Sequence, residues 1–308
     1  MNILITGIHG FVGSNFVEAL KSEDTIYGLD IVFPEKEGVE KTFSWNELNE
    51  IPKINTIIHL AGKAHDTKNE SLAQSYFDIN TELTKKIFDY FLQSKAETFI
   101  FFSSVKATAD VVEGDFLTED VEPKPVGAYG ESKIAAEEYI QSKDWNGKRV
   151  YILRPAMIYG VGNKGNLNLL YNVIKKGIPY PLGTFENSRS FCSINNISYV
   201  VEQLIQKQDI PSGIFHVADD EVLSTDELIE LICESIGKKP RIWHIPKKMV
   251  NTMAAVGTTL RLPLNTFRLQ KLTENYVVSN EKIKHALHIP KMPFSAKKEF
   301  INTFKSFQ

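Results

Sequence analysis

The sequence predicts an α/β protein built on a doubly wound parallel sheet, with a smaller C-terminal α/β lobe. Three observations predict it. Short runs of apolar residues without polar alternation recur at 3–5, 56–60 and 98–102, as in strands buried on both faces. Segments with apolar residues at helical spacing separate them. The first two strands are joined by a turn dense in glycine, Gly7, Gly10 and Gly13, and the second strand ends in a carboxylate, Asp30. Alternating strands and helices behind such a turn make a dinucleotide-binding sheet of Rossmann type.

Each element follows in order. The run Ile3-Leu4-Ile5 is the first strand, and Phe16, Val17 and Leu20 give the first helix one apolar face. A pyrophosphate needs bare backbone N–H groups at a helix N-terminus, where the dipole favours negative charge, and the glycines permit that approach. Asp30 is placed to accept adenosine ribose hydroxyls and to repel a 2′-phosphate, which predicts NAD rather than NADP. The stretch 34–55 is polar and poorly periodic, with a short strand candidate at Thr42-Phe43. A strand at 56–62 ends in His59-Leu60-Ala61-Gly62, and a long helix is expected over 71–94 with Asn80 inside it. The strand at 98–102 ends in Ser103-Ser104. An acidic, proline-containing loop leads to a helix at 127–142 carrying Tyr129 and Lys133.

Beyond the strand at 150–153 and the turn through Gly160 and Gly162 the pattern loosens. Helices are expected at 166–176 and 196–208 and a strand at 214–217. Ser224 with Glu227 reads as a capping box. Helix-like apolar stretches at 249–260 and 294–304 lack catalytic groupings. The division predicted is 1–162 for the NAD-binding domain and 163–308 for the substrate-binding lobe, with the chain free to cross between them.

Composition excludes several classes. The chain has 308 residues, 43% of them hydrophobic and 24% charged, with a net charge of -3, which describes a globule with a sizeable core. Basic residues occur in pairs such as Lys175-Lys176 and Lys247-Lys248, so no nucleic-acid partner is expected. Cys192 and Cys233 are far apart in apolar surroundings and predict neither a disulfide nor a metal site. The seven histidines form no metal-ligand pattern; His59, mid-strand, is expected to be a core residue and His9 to shape the glycine turn. No apolar run reaches bilayer length, and the N-terminus carries no secretory pattern, so the expectation is a cytoplasmic protein with no membrane partner.

Tyr129 and Lys133 are four residues apart on a helix, so their side chains leave from one face. An ammonium beside a phenol favours the phenolate and is expected to lower the tyrosine pKa from about 10. Ser104, at a strand tip beside the cofactor strand, can hydrogen-bond a substrate oxygen while Tyr129 moves a proton. These groups suit proton transfer beside a hydride acceptor.

Together ITGIHGFVG, HLAG, FFSSVKA, YGESK and LRPAMIYG resemble the extended short-chain dehydrogenase/reductases, and more narrowly their NAD-dependent epimerase/dehydratase branch, which acts on nucleotide sugars. The resemblance implies that Tyr129 is the general acid/base, that Lys133 binds the nicotinamide ribose and that Ser104 polarises the sugar hydroxyl, with Ser103 a rival for that serine. It implies NAD contacts from Gly7, Gly10, Phe11, Val12, Gly13, Asp30, Leu60, Ala61, Gly62 and Asn80, together with Tyr129 and Lys133. Substrate contacts are implied for Ser103, Ser104, Lys106, Asn166 and Arg189, Arg189 meeting the diphosphate, with Arg268 as the counterpart of a second arginine. A homodimer formed through a four-helix bundle is also implied.

Departures from the family pattern narrow the reaction. Dehydratases carry an Asp-Glu pair after the catalytic hydroxyl, where this chain has Val105-Lys106-Ala107; dehydration is disfavoured. Ala156-Met157 stands where many 4-epimerases have an asparagine, and Ser44-Trp45-Asn46 where an adenine-contacting acid often lies. The function expected is an NAD-dependent epimerase oxidising and re-reducing a nucleotide sugar at C4, a UDP-sugar first of all. The alternatives are an NAD(P)H-dependent reductase of a 4-keto-6-deoxy nucleotide sugar and a catalytically silent dinucleotide-binding regulator.

Overall fold

A computed structural model describes residues 1–64, 73–163, 165–260 and 265–308. Seven strands form one parallel sheet: β1 (Asn2–Thr6), β2 (Thr25–Leu29), β3 (Lys41–Phe43), β4 (Thr56–His59), β5 (Thr98–Phe102), β6 (Arg149–Pro155) and β9 (Gly213–Val217). Their order across the sheet is β3-β2-β1-β4-β5-β6-β9. A second, two-stranded sheet pairs β7 (Met157–Tyr159) with β8 (Phe191–Ser193). Strand β3 occupies the expected position at Thr42-Phe43 and forms one edge. Strand β9 forms the other, so residues beyond 162 contribute to the main sheet.

Successive side chains of a strand point to opposite faces, and the two core layers show it. Ile3 and Ile5 of β1 face one layer, with Phe16 and Val17 of helix α1 (Phe11–Leu20) and Val201 of α6 (Ile194–Gln206). Leu4 faces the other, among Ile87, Phe88 and Phe91 of α3 (Leu83–Gln93) and Ala136 and Ile140 of α4 (Gly127–Gln141). A third cluster joins Leu167 and Tyr171 of α5 (Asn166–Lys175), Ile229 and Ile232 of α7 (Thr225–Ser235), and Phe300 and Phe304 of α11 (Ala296–Lys305). The capping box that opens α7 is formed: Ser224 Oγ accepts from Glu227 N at 3.1 Å and the Glu227 carboxylate accepts from Ser224 N at 2.9 Å.

The helix expected over 71–94 begins outside the described residues. From Ala73–Tyr76 (α2) it passes through one π-helical turn, Phe77–Glu82, before α3. Single π turns inside helices frequently mark functional sites, and this one contains Asn80. The strand order reverses between β1 and β4. Ligands of open α/β sheets gather at the carboxyl ends of strands flanking such a point.

Candidate active site

The glycine turn, the β2 tip and the β4 tip converge at that switch point. Gly7 has φ +68°, and a Cβ there would meet the Ala61 backbone at 3.0 Å; one at Gly13 would lie 2.5 Å from the Gly7 carbonyl oxygen. Only glycine leaves this backbone bare ahead of α1, which Gly10 caps. The Asp30 carboxylate lies across the turn, accepting from His9 N at 3.0 Å and from Ile31 N at 2.7 Å. Thr6 Oγ1 ties the β4 tip to β1, accepting from Leu60 N at 3.1 Å and Ala61 N at 2.9 Å. Gly62 is close to both Asn80 and Lys133: a Cβ would lie 3.0 Å from Asn80 Oδ1 and 3.1 Å from Lys133 Nζ. In this cradle, bare backbone ahead of a helix N-terminus, beside a strand-tip carboxylate, fits the chemistry of a dinucleotide's pyrophosphate and ribose.

Two further side chains support this turn. Asn80 is fully buried and its amide is occupied by protein: Oδ1 accepts from Lys63 N at 2.7 Å, and Nδ2 donates to Lys63 O at 3.1 Å and Ser132 Oγ at 2.9 Å. It braces the β4 tip against α4 rather than reaching into the cradle. Lys36, which no motif marks, donates to Ser14 Oγ at 2.6 Å and Ile8 O at 3.2 Å, placing an ammonium against the glycine turn.

On α4, Tyr129 is half-buried, with the Ser104 hydroxyl near enough to favour its phenolate. Lys133 is 5% exposed and donates to Phe102 O at 2.8 Å. Burial lowers the Lys133 pKa to about 8, against the opposing field of the Glu137 carboxylate one turn on. The expectation of a depressed tyrosine pKa is overturned. Burial raises Tyr129 above its ordinary 10, the Ser104 hydrogen bond pulling the other way and nearby Tyr76 adding to the rise. Burial penalises the charged form of both groups, the Lys133 ammonium and the Tyr129 phenolate. His59 is a core residue, bonded through Nδ1 to Thr6 Oγ1 at 2.7 Å and through Nε2 to Thr84 Oγ1 at 2.9 Å.

The two serines have different surroundings. Ser104 faces Tyr129 and caps a short 3₁₀ turn, accepting from Lys106 N at 3.2 Å. Ser103 points the other way, and its hydroxyl donates to the buried Glu137 carboxylate. Glu137 is held by Arg154, whose Nε lies 3.0 Å from Oε1 and whose Nη2 lies 2.6 Å from Oε2. Glu137 and Arg154 are 0% and 2% exposed, a fully desolvated ion pair directly behind the site.

A second cluster joins the segment after β5 to residues beyond 162. Lys106 Nζ lies 3.1 Å from Asp110 Oδ1 and 4.2 Å from the centre of the Tyr276 ring. Asp110 Oδ2 also takes Lys271 Nζ at 2.7 Å. The Arg189 guanidinium donates to Lys271 O and stands 3.9 Å from Glu274 Oε1. Lys271 belongs to α9 (Thr266–Thr273), as does Arg268, which is exposed one turn earlier. Asn166 is the first residue of α5, and Gly165 rather than Asn166 is its cap, without a side-chain capping bond. Sequence reasoning missed Asp110, Lys271, Glu274 and Tyr276, which meet only through the fold.

A cradle for a dinucleotide facing a Ser-Tyr-Lys set at a sheet edge defines a nicotinamide-dependent oxidoreductase of the short-chain type. The model of the NAD dependent epimerase/dehydratase family matches residues 3–218, and the chain belongs to that family. It is 32% identical over 260 residues to a UDP-glucose 4-epimerase of Vibrio cholerae, covering 80% of this chain and 78% of that one. It is 25% identical over 255 residues to an N-acetyl-alpha-D-glucosaminyl-diphospho-ditrans,octacis-undecaprenol 4-epimerase of Escherichia coli O157:H7, covering 80% and 75%. The fold matches that of UDP-glucuronic acid 4-epimerase from Bacillus cereus in complex with NAD, with TM-score 0.78, 17% identity, and 100% and 96% of the two chains covered. The protein is therefore an NAD-dependent enzyme of the epimerase/dehydratase class.

Proposed function

We propose that this chain is a nucleotide-sugar 4-epimerase, with a UDP-sugar as substrate. The observation that carries the reading is that α4 presents Tyr129, whose phenolate the Ser104 hydroxyl favours, one turn from Lys133, whose ammonium lies against Gly62 of the glycine cradle. NAD, when bound, supplies the acceptor for a hydride from the sugar C4 and the donor that returns it.

The remaining chemistry belongs to the chain's own residues. Tyr129 takes the proton of the C4 hydroxyl as the ketone forms and gives it back when the carbon is reduced from its other face. Its burial-raised pKa suits the donating half; the hydrogen bond from Ser104 favours the phenolate needed for the accepting half. Lys133 holds a ribose hydroxyl and places its charge beside the phenolate. Asp30 accepts the adenosine ribose hydroxyls. Arg189 meets the diphosphate with its planar fork, assisted by the N-terminus of α5 at Asn166. Lys106, two residues beyond Ser104, is placed to meet the sugar.

Epimerisation returns the cofactor to its starting state, and that property tests the reading. Purified protein supplied with NAD should convert UDP-glucose or UDP-N-acetylglucosamine to its 4-epimer with no added reductant, followed by proton NMR of the anomeric signal. Stoichiometric consumption of added NADH or NADPH by a 4-keto-6-deoxy nucleotide sugar, without any epimer from the UDP-hexoses, would replace this reading with the reductase.

A further inference from the structure

Helix α8 (Lys247–Thr259) carries more apolar surface than the fold covers. Val250, Ala254 and Gly257 are buried, with Val250 and Ala254 packed among Leu182 and Leu269. About 100° round the helix lies a second stripe at i, i+4, i+7 and i+11. It consists of Met249, Met253, Val256 and Leu260, which are 57%, 50%, 49% and 63% exposed. Single exposed apolar residues need no explanation, but a continuous stripe marks a surface for a partner.

Charge identifies the partner. The segment 235–273 holds eight of the chain's 35 Lys and Arg residues and none of its 38 Asp and Glu residues; of the eight, Lys271 is paired with Asp110 and Glu274 from outside the segment. Lys247 and Lys248 occupy the first turn of α8, the end at which the helix dipole disfavours cations, so helix stability does not account for them. No carboxylate among the described residues lies within salt-bridge distance of either. Trp243, just ahead of the helix, is 57% exposed. Exposed Met, Leu and Trp beside unneutralised lysines is the composition of a helix that lies in a bilayer interface. A second copy of this chain would set the same positive segment against itself.

We propose that α8 and its basic flanks form a docking surface for anionic membrane lipids, the stripe entering the headgroup boundary and the lysines meeting lipid phosphates. No described helix is long and apolar enough to cross a membrane, so the contact is with one leaflet's surface. The proposal departs from the expectation of no membrane partner, because Lys247-Lys248 stands within a wider acid-free segment.

Co-sedimentation of the full chain with vesicles tests this independently of the reaction. Binding is expected to vesicles of phosphatidylcholine and phosphatidylglycerol at roughly three to one, to weaken with added salt, and to be far weaker on phosphatidylcholine alone. The double substitution Lys247→Glu/Lys248→Glu should lower the partition coefficient roughly tenfold or more. Met253→Glu should also weaken it, with circular dichroism and turnover in solution unchanged for both variants. Failure to sediment with the anionic vesicles, or equal binding by the variants, would overturn the proposal. So would a dimer in analytical ultracentrifugation that Met253→Glu dissociates, since a second copy would then cover the stripe.

Discussion

Ser103 and Ser104 are neighbours in the chain with opposite surroundings, and the difference can be measured. Ser104→Ala should lower kcat while leaving the unfolding midpoint in place, because its hydroxyl meets Tyr129 at the mouth of the cradle. Ser103→Ala should do the reverse, costing about 1–2 kcal/mol of stability by removing a donor from a buried carboxylate. Equal kinetic effects from both would contradict the separation. Tyr129→Phe keeps the ring and removes only the proton carrier, so a kcat loss of roughly 10²–10⁴-fold is expected on a folded protein. Retained turnover would remove Tyr129 from the acid/base role. At the cofactor's other end, Asp30→Ala should reduce the ratio of kcat/KM for NAD over NADP, since the carboxylate no longer repels a 2′-phosphate. An unchanged ratio would leave Lys36, packed against the glycine turn, as the group setting preference.

Helix α4 shows why some of the site was legible in the sequence and some was not. Tyr129, Lys133 and Glu137 follow at intervals of four, so one face presents all three. The first two were readable because their residue types carry a known electrostatic relation. Glu137 looked like any helix glutamate, since its partner Arg154 lies inside a strand and the pairing exists only after α4 packs on the sheet. Breaking that pair leaves a charge in the interior, so Arg154→Met should cost about 3–5 kcal/mol, read as a lower urea midpoint. A loss within experimental error would mean that Glu137 is solvated. The strands were legible because buried parallel strands are continuous apolar runs, and even β3 announced itself by Thr42-Phe43. The π turn at Asn80 had no sequence signal, because its extra residue keeps helical composition. Lys36 and the Asp110–Lys271–Glu274 cluster join elements remote in sequence, which periodicity cannot pair. The sign of the Tyr129 shift was misread for a related reason: spacing reveals a neighbouring charge but not the depth of burial.

At the scale of the whole molecule, the buried titratable groups predict how stability varies with pH. His59 and His216 are fully buried, and burial lowers their pKa values to about 3 and about 4. The unfolded chain protonates each near 6.5, whereas the folded protein resists until those lower values. Below pH 6.5 the unfolded state therefore binds more protons, and stability falls by about 1.4 kcal/mol per pH unit for each histidine. Lys133 acts in the same direction on the alkaline side: between its folded value of about 8 and its ordinary 10.5 the unfolded state holds the extra proton, so stability rises with pH there. From about 9 the buried Cys192 thiol, pushed well above its ordinary value by burial, opposes this rise, and above about 10 the sign reverses. Tyr129, Tyr159 and Tyr276 are raised by burial, with Asp219 adding to the shift at Tyr159, so the unfolded chain ionises first and draws the equilibrium toward itself. Stability should thus be greatest between about pH 8 and 10 and decline steeply below 6.5. Urea unfolding at a series of pH values, followed by tryptophan fluorescence, reads this directly. The midpoint should fall from pH 7 to 4.5 with an unchanged slope; a flat midpoint over that interval would mean that His59 and His216 accept protons in the folded protein.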